Sequence, residues 1–177
     1  MTGRAPVLGA IIAGGRARRF GSDKALALYQ GKPLIRHAID TLRPQVAALV
    51  LCGRDHEGVE RIEDRPEPGL GPTGAINAAL HRAVQEGLGG VLTVPVDVLP
   101  LPGDLVHRLG TESLACFDQQ FLVAYWPVEL AKGVDDYVTQ GGRKPAELLD
   151  RFGARRVADP PGIANVNRPG DLLRLRQ

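Results

Sequence analysis

Val7-Leu8-Gly9-Ala10-Ile11-Ile12-Ala13-Gly14-Gly15 is an unbroken apolar run, rich in branched residues and closed by a glycine pair. A strand with one wet face alternates apolar and polar residues; a continuous run marks a strand buried on both faces, at the centre of a parallel sheet. Residues 46–52, 90–96 and 120–125 repeat the pattern. Segments of helical period lie between them. Pro33 can occupy a first helical position, after which Leu34, His37, Ala38 and Leu42 share a face. Ile76, Ala79, Leu80, Ala83 and Val84 do the same after Gly71-Pro72-Thr73-Gly74. Strands alternating with helices of about 10–15 residues imply βαβ units with right-handed crossovers. The expected fold is therefore α/β, three layers around a mostly parallel central sheet.

Beyond residue 111 the pattern loosens. Residues 114–117 and 121–125 read as strands separated by Asp118-Gln119-Gln120, either a hairpin or a crossing pair, with Phe121, Val123 and Tyr125 alternating as in a half-buried strand. Residues 135–140 and 146–152 read as short helices, and a last helix begins near Pro169. No internal repeat or low-complexity linker divides the chain, and 177 residues suit one domain over 1–177 with a sizeable core.

Gly and Pro occupy 36 of the 177 positions, yet 44% of residues are hydrophobic and 24% charged, so shaped loops are a better reading than disorder. Twenty of the 36 fall in four stretches, 14–33, 66–74, 95–103 and 160–170. Aromatics are only 5% of the chain, which argues against a stacking platform for single-stranded nucleic acid. Residues 1–39 hold seven basic side chains against Asp23 alone, a local charge of +6, while the other 138 residues carry −4. Such a local imbalance suits a small anionic ligand better than a nucleic-acid surface. Cys52 and Cys116 form no metal or disulfide pattern, which fits a reducing cytoplasm. Residues 7–13 are too short to span a bilayer, no apolar stretch follows Arg18-Arg19-Phe20, and no targeting segment or membrane association is expected.

In an open parallel sheet, ligands bind at the carboxyl ends of the strands. The loop after the first strand, Gly14-Gly15-Arg16-Ala17-Arg18-Arg19-Phe20-Gly21-Ser22-Asp23-Lys24, is neither a Gly-x-Gly-x-x-Gly fingerprint nor a Walker A loop. Its glycines permit close backbone approach and an anion-binding nest. Backbone dipoles supply only about 0.3–1 kcal/mol each at exposed sites. Holding a triphosphate therefore calls on charge-assisted bonds, for which Arg19 and Lys24 are best placed. Arg16 and Arg18 compete with Arg19 for that role.

These residues carry a resemblance. Ile12-Ala13-Gly14-Gly15, Arg19-Phe20-Gly21, Asp23-Lys24 and Gly31-Lys32-Pro33-Leu34 resemble the signature of nucleotidyltransferases that activate small phosphorylated substrates. Within that superfamily the order is most similar to the molybdenum cofactor guanylyltransferase family. Three later segments extend the likeness over nearly the whole chain: Ile62-Glu63-Asp64 with Gly69-Leu70-Gly71-Pro72-Thr73-Gly74, then Val94-Pro95-Val96-Asp97, then Asn165-Val166-Asn167-Arg168-Pro169-Gly170-Asp171-Leu172.

The resemblance implies a Rossmann-like fold of the nucleotide-diphospho-sugar transferase type. It also implies Mg²⁺-dependent transfer of GMP from GTP to molybdopterin with release of pyrophosphate. Small-molecule substrates and transient contact with maturation proteins of molybdoenzymes follow, with no nucleic acid and no membrane. Ile12, Ala13, Gly14, Gly15, Gly71 and Gly74 would line the nucleotide, Arg19 and Lys24 would meet its phosphates, and Asp97 would hold Mg²⁺ with Asn167 as a second contact. Asp64 either accepts hydrogen bonds from guanine N–H groups or is a loop acid; Asn167 is otherwise an Asx turn or cap. Asp97 has the alternative of a turn aspartate, and Lys24 that of a surface partner for Asp23. His37 is a core or edge histidine. Two departures from the family pattern stand out. Cys52-Gly53-Arg54 occupies the place where an Asn commonly contacts the nucleotide, and Pro100 falls one position late after Asp97. A related transferase acting on a sugar phosphate or another pterin, and a non-catalytic GTP-binding module, are the rival readings.

Overall fold

A computed structural model of the chain describes residues 5–14 and 23–174. In chain order the strands and helices are β1 (Val7–Ile12), β2 (Leu28–Tyr29), β3 (Lys32–Pro33), α1 (Leu34–Leu42), β4 (Ala48–Cys52), β5 (Glu60–Ile62), α2 (Pro72–Gln85), β6 (Gly90–Pro95) and β7 (Val98–Leu99). The second half holds α3 (Leu105–Leu109), β8 (Ala115–Phe117), β9 (Ala124–Pro127), α4 (Ala131–Thr139), α5 (Pro145–Arg151), β10 (Arg155–Val157), β11 (Ala164–Asn165) and α6 (Asp171–Arg174).

Seven strands form the central sheet in the order β10-β8-β9-β6-β1-β4-β5. β1 runs parallel to both neighbours, pairing Ala10 with Val50 on one side and with Thr93 on the other. Only β9 runs against the rest, antiparallel to β6 and β8. All six residues of β1 are buried. Its side chains divide between two cores, Val7 and Ile11 facing α1, and Leu8, Ala10 and Ile12 facing α2. Gly9 has no Cβ because the α1 side leaves no room: one would lie 2.8 Å from Leu49 Cδ1 and 3.0 Å from Val46 Cγ2. The three-layer α/β expectation is met.

Element bounds differ in instructive ways. The segment 114–125 is a hairpin, with Ala115 opposite Tyr125 and Cys116 opposite Ala124. Its second strand begins at Ala124 instead of at residue 120. The carboxylate of Asp159 takes the backbone N–H groups of Gln119 and Gln120, and Val123 N donates to Gln120 O, so 119–123 is spent on a turn. On α2, Ile76, Ala79, Leu80 and Ala83 are buried, while Val84 is 52% exposed. The terminal helix starts at Asp171, whose carboxylate accepts from the N–H groups of Asn167 and Arg168. His37 is an edge histidine: its Nε2 lies 2.8 Å from Tyr29 O and its ring packs against Tyr29.

Beneath the hairpin, Trp126 is fully buried and its Nε1–H donates to Thr93 Oγ1 at 3.1 Å; that hydroxyl donates in turn to Leu122 O at 2.8 Å. A single hydroxyl thus satisfies an indole N–H and a turn carbonyl in the α2-side core. Thr93→Val keeps the shape and removes both bonds, leaving a buried donor unpaired at a cost of about 1–3 kcal/mol. The urea midpoint of this variant is expected to fall accordingly with an unchanged slope; an unchanged midpoint would show that the network contributes nothing.

Candidate active site

The carboxyl ends of β1, β4, β5 and β6 open on one cleft, whose two chambers share Ile12 and Gly14 as a common wall. The larger, about 460 Å³, lies over β4 and β5 and is closed by Cys52, Gly53, Glu63, Asp64, Gly69, Gly71 and Ala75. The smaller, about 280 Å³, lies over β6 and includes Ala13, Lys24, Arg54, Pro95, Asp97 and Asn165. Gly15, Arg16, Arg18 and Arg19 lie outside the described residues.

The larger chamber is shaped by backbone. Gly53 has φ +76, and a Cβ there would lie 2.9 Å from Gly14 Cα, so the loops after β1 and β4 touch main chain to main chain. Gly71 has φ 71 and caps α2 with no side-chain hydrogen bond, leaving the first N–H groups of that helix for other acceptors. Gly74 sits against Asp64 and Leu70, where a Cβ would fall 2.6 Å from Leu70 Cβ. Asp64 Oδ2 accepts from Gly71 N at 3.1 Å. Burial pushes its carboxyl above the ordinary range, and the N–H groups of Gly71, Leu70 and Gly69 offset this only in part. Asp64 therefore holds the 69–71 turn and at the same time presents an acceptor to the chamber. The Cys52 thiol is buried and pushed up to about 12, by burial first and the Asp64 charge second, so it is no nucleophile.

The smaller chamber is shaped by charge. Asp97 occupies the turn between β6 and β7, and β11 folds back antiparallel to β7 with Val166 N donating to Asp97 O at 2.8 Å. That return brings Asn167 to the cleft. Lys24 Nζ lies 2.6 Å from Asp97 Oδ2 and 3.4 Å from Asn167 Oδ1. Asp23 does not pair with Lys24: its Oδ1 accepts from Ala25 N, and its Oδ2 lies 2.5 Å from Arg54 Nη2. Ile12, Ala13, Gly14, Lys24 and Asp97 line the small chamber, and Asp64 and Gly71 the large one. Arg54, read from the sequence as part of a departure, is the cleft residue that motif reading missed; nothing in its local pattern distinguishes it from a surface arginine.

Asp97 Oδ2 and Asn167 Oδ1 are hard oxygen donors converging on one cation, here the Lys24 ammonium, which is the donor chemistry Mg²⁺ takes together with phosphate oxygens. Among the described residues no three His, Cys, Asp or Glu side chains cluster as a self-sufficient metal cage. The donors fit a metal that arrives with its substrate.

Comparison with known proteins follows the same lines. The sequence model of the MobA-like NTP transferase domain matches residues 9–127. A molybdenum cofactor guanylyltransferase of Rhodobacter capsulatus is 35% identical, covering 95% of this chain and 94% of its own. One from Yersinia pestis (strain Pestoides F) is 33% identical, covering 93% and 92%. Among solved structures, molybdopterin-guanine dinucleotide biosynthesis protein A of Archaeoglobus fulgidus superposes with a TM-score of 0.73 at 23% identity over 96% of each chain. The 2-C-methyl-D-erythritol 4-phosphate cytidylyltransferase of Thermus thermophilus gives 0.68 at 14% identity over 97% and 96%. No helix among the described residues is long and apolar enough to cross a membrane.

Asp64 supplies a pH test. Its folded pKa is raised, so its favourable contribution is full below the ordinary aspartate value and is lost as pH rises through the folded value. Asp64→Asn keeps an acceptor for Gly71 N and cannot ionise. The variant is expected to be more stable than the parent at pH 7, and the gain to shrink toward pH 4 in urea titrations. A gain independent of pH would refute the assignment.

Proposed function

The chain belongs to the MobA-like NTP transferase family and is a nucleotidyltransferase, and on that premise we propose that it transfers GMP from GTP to molybdopterin as one domain over residues 1–177. The observation that carries this reading is the convergence of Lys24, Asp97 and Asn167 at the end of a cleft whose other chamber is glycine-shaped and walled by Asp64. The purine enters the larger chamber, where Gly14 and Gly71 allow close approach and Asp64 accepts from guanine N–H groups, while Gly74, which does not line the chamber, lets α2 pack against Asp64 and Leu70. The phosphates lie in the smaller one.

Transfer from a nucleoside triphosphate to a phosphate acceptor asks little covalent chemistry of the protein. An oxygen of the acceptor phosphate attacks the α-phosphorus, the bond from that phosphorus to the β-phosphate bridging oxygen breaks, and the electron pair leaves with pyrophosphate. The attacking oxygen is already ionised at neutral pH, since a phosphate monoester has its second pKa near 6. No general base is required, and among the described residues no histidine lines either chamber. Catalysis then reduces to alignment and to neutralising charge on the leaving group.

Lys24 supplies a mobile charge. Its ammonium is paired with Asp97; in the proposed complex Lys24 turns to the phosphates, with Arg19 beside it. Asp97 and Asn167, released from the ammonium, are the residues that would hold Mg²⁺. The metal, when bound, supplies fixed positive charge that draws electron density from the reacting phosphate.

Pyrophosphate release from GTP, ATP, CTP and UTP, with Mg²⁺ and molybdopterin, tests the proposal. Release is expected with GTP and acceptor together. Tight GTP binding without release under that condition would convert the reading to a binding module. Asp97→Ala removes several kcal/mol of charge stabilisation, and each 1.4 kcal/mol is tenfold, so turnover is expected to fall about 100-fold or more. Full turnover by the variant would overturn the metal assignment.

A further inference from the structure

The cleft contains a second cation that the reading above does not use. Arg54 lies two residues beyond the end of β4, its side chain is 26% exposed, and it lines the same 280 Å³ chamber as Lys24 and Asp97. Among the described residues, the charged side chains lining that chamber are two cations and two carboxylates in two pairs: Lys24 with Asp97 at 2.6 Å and Arg54 with Asp23 at 2.5 Å. Within these two pairs each positive charge is balanced by a carboxylate. A polyanion gains little from these cations unless they let go of their carboxylates.

We propose that Arg54 is a further phosphate-binding residue beside Lys24, one that exchanges its Asp23 partner for the nucleotide's β- or γ-phosphate. The inference rests on the nucleotidyltransferase reading and deepens it.

Three features make the exchange physically cheap. Asp23 Oδ1 already accepts from Ala25 N as the cap of the 3-10 turn Lys24–Leu26, and that bond does not depend on Arg54. The Asp23 side chain is 38% exposed, so water can replace the guanidinium at Oδ2. On the other side, a guanidinium offers five N–H donors in a planar fork that matches a phosphate edge, a geometry Lys24 cannot offer.

The backbone places Arg54 for this role. Gly53 packs against Gly14 with a left-handed φ of +76, so the chain turns at the contact, and the next residue lines the chamber that also holds Lys24 and Asp97. A Cβ at position 53 would collide with Gly14 Cα. The segment Cys52-Gly53-Arg54 has therefore given up a side chain at its middle position, and the cation that follows lies at the phosphate end of the cleft.

Calorimetric titration of the full chain with GTP, GDP and GMP in the presence of Mg²⁺ tests the inference, using the parent, Arg54→Met, Arg54→Lys and Asp23→Asn. Arg54→Met is expected to weaken GTP by about tenfold or more, GDP by less, and GMP hardly at all. Arg54→Lys is expected to fall between Met and the parent. Asp23→Asn keeps the cap on Ala25 N, frees the guanidinium and is expected to bind GTP at least as tightly as the parent. Equal GTP affinity of Arg54→Met and the parent would overturn the inference. So would an equal loss for all three nucleotides, which would mean that Arg54 acts only by holding the Asp23 loop. Failure of the parent to bind any of the three would overturn the nucleotidyltransferase reading itself, and this inference with it.

Discussion

Everything in this structure hangs on the burial of β1 on both faces. A strand of six residues with no wet side must be covered twice, so α1 has to lie on one face and α2 on the other. It must also be paired on both edges, since buried N–H and C=O groups cannot be left unbonded. β4 and β6 provide those edges, and both run parallel because their connections cross over the faces. The carboxyl end of β1 then emerges in the middle of the sheet, flanked by two other strand ends. Gly14 stands where a side chain would fill the space between them.

The second constraint is electrostatic. A cleft for a polyanion needs cations, yet unpaired cations in a partly enclosed cleft repel one another. Here Lys24 and Arg54 are each satisfied by an adjacent carboxylate, and the exposures of the four side chains, from 17% to 38%, leave water access for partner exchange. Such pairs add little to stability when exposed, about 0–1 kcal/mol each. Weak coupling suits a site that must re-pair when its ligand arrives. The same carboxylate that restrains Lys24 is the one proposed to hold a divalent cation, so on that proposal metal and nucleotide would favour each other's binding.

How much of this the sequence displays depends on whether a feature is local. β1, β4 and β6 are continuous apolar runs and α1 and α2 have clear helical faces, so their existence is legible from period alone. β5 and β10 are three-residue edge strands carrying Glu60, Arg61, Arg155 and Arg156, with no apolar run to reveal them. Strand 120–125 looks regular, yet Asp159, forty positions from Gln119, captures its N–H groups and bends it. At the site, Lys24 and Asp97 stand in recognisable motifs, whereas Asn167 reaches Lys24 across 143 positions only because two-residue strands β7 and β11 pair. Arg54 has no local signature at all.

The position of the cleft follows from the order in which the sheet is laid down. From β1 the chain steps to β4 and β5 on one side, then returns past β1 to β6 on the other. The strand order reverses at β1, with β4 laid on one side and β6 later on the other, and the loops that diverge there open a crevice at its carboxyl end. That crevice has two halves by construction, one over β4 and β5 and one over β6, and they are the two chambers that share Ile12 and Gly14. A ligand spanning them needs unlike ends, since one half is walled by glycine backbone and Asp64 and the other by paired charges. A nucleoside triphosphate has such ends, and in the proposed placement its α-phosphorus would fall at the boundary beside β1. The reacting atom would then lie beside the strand that is buried on both faces, while Lys24 and Arg54, the groups proposed to exchange partners, sit outside the sheet.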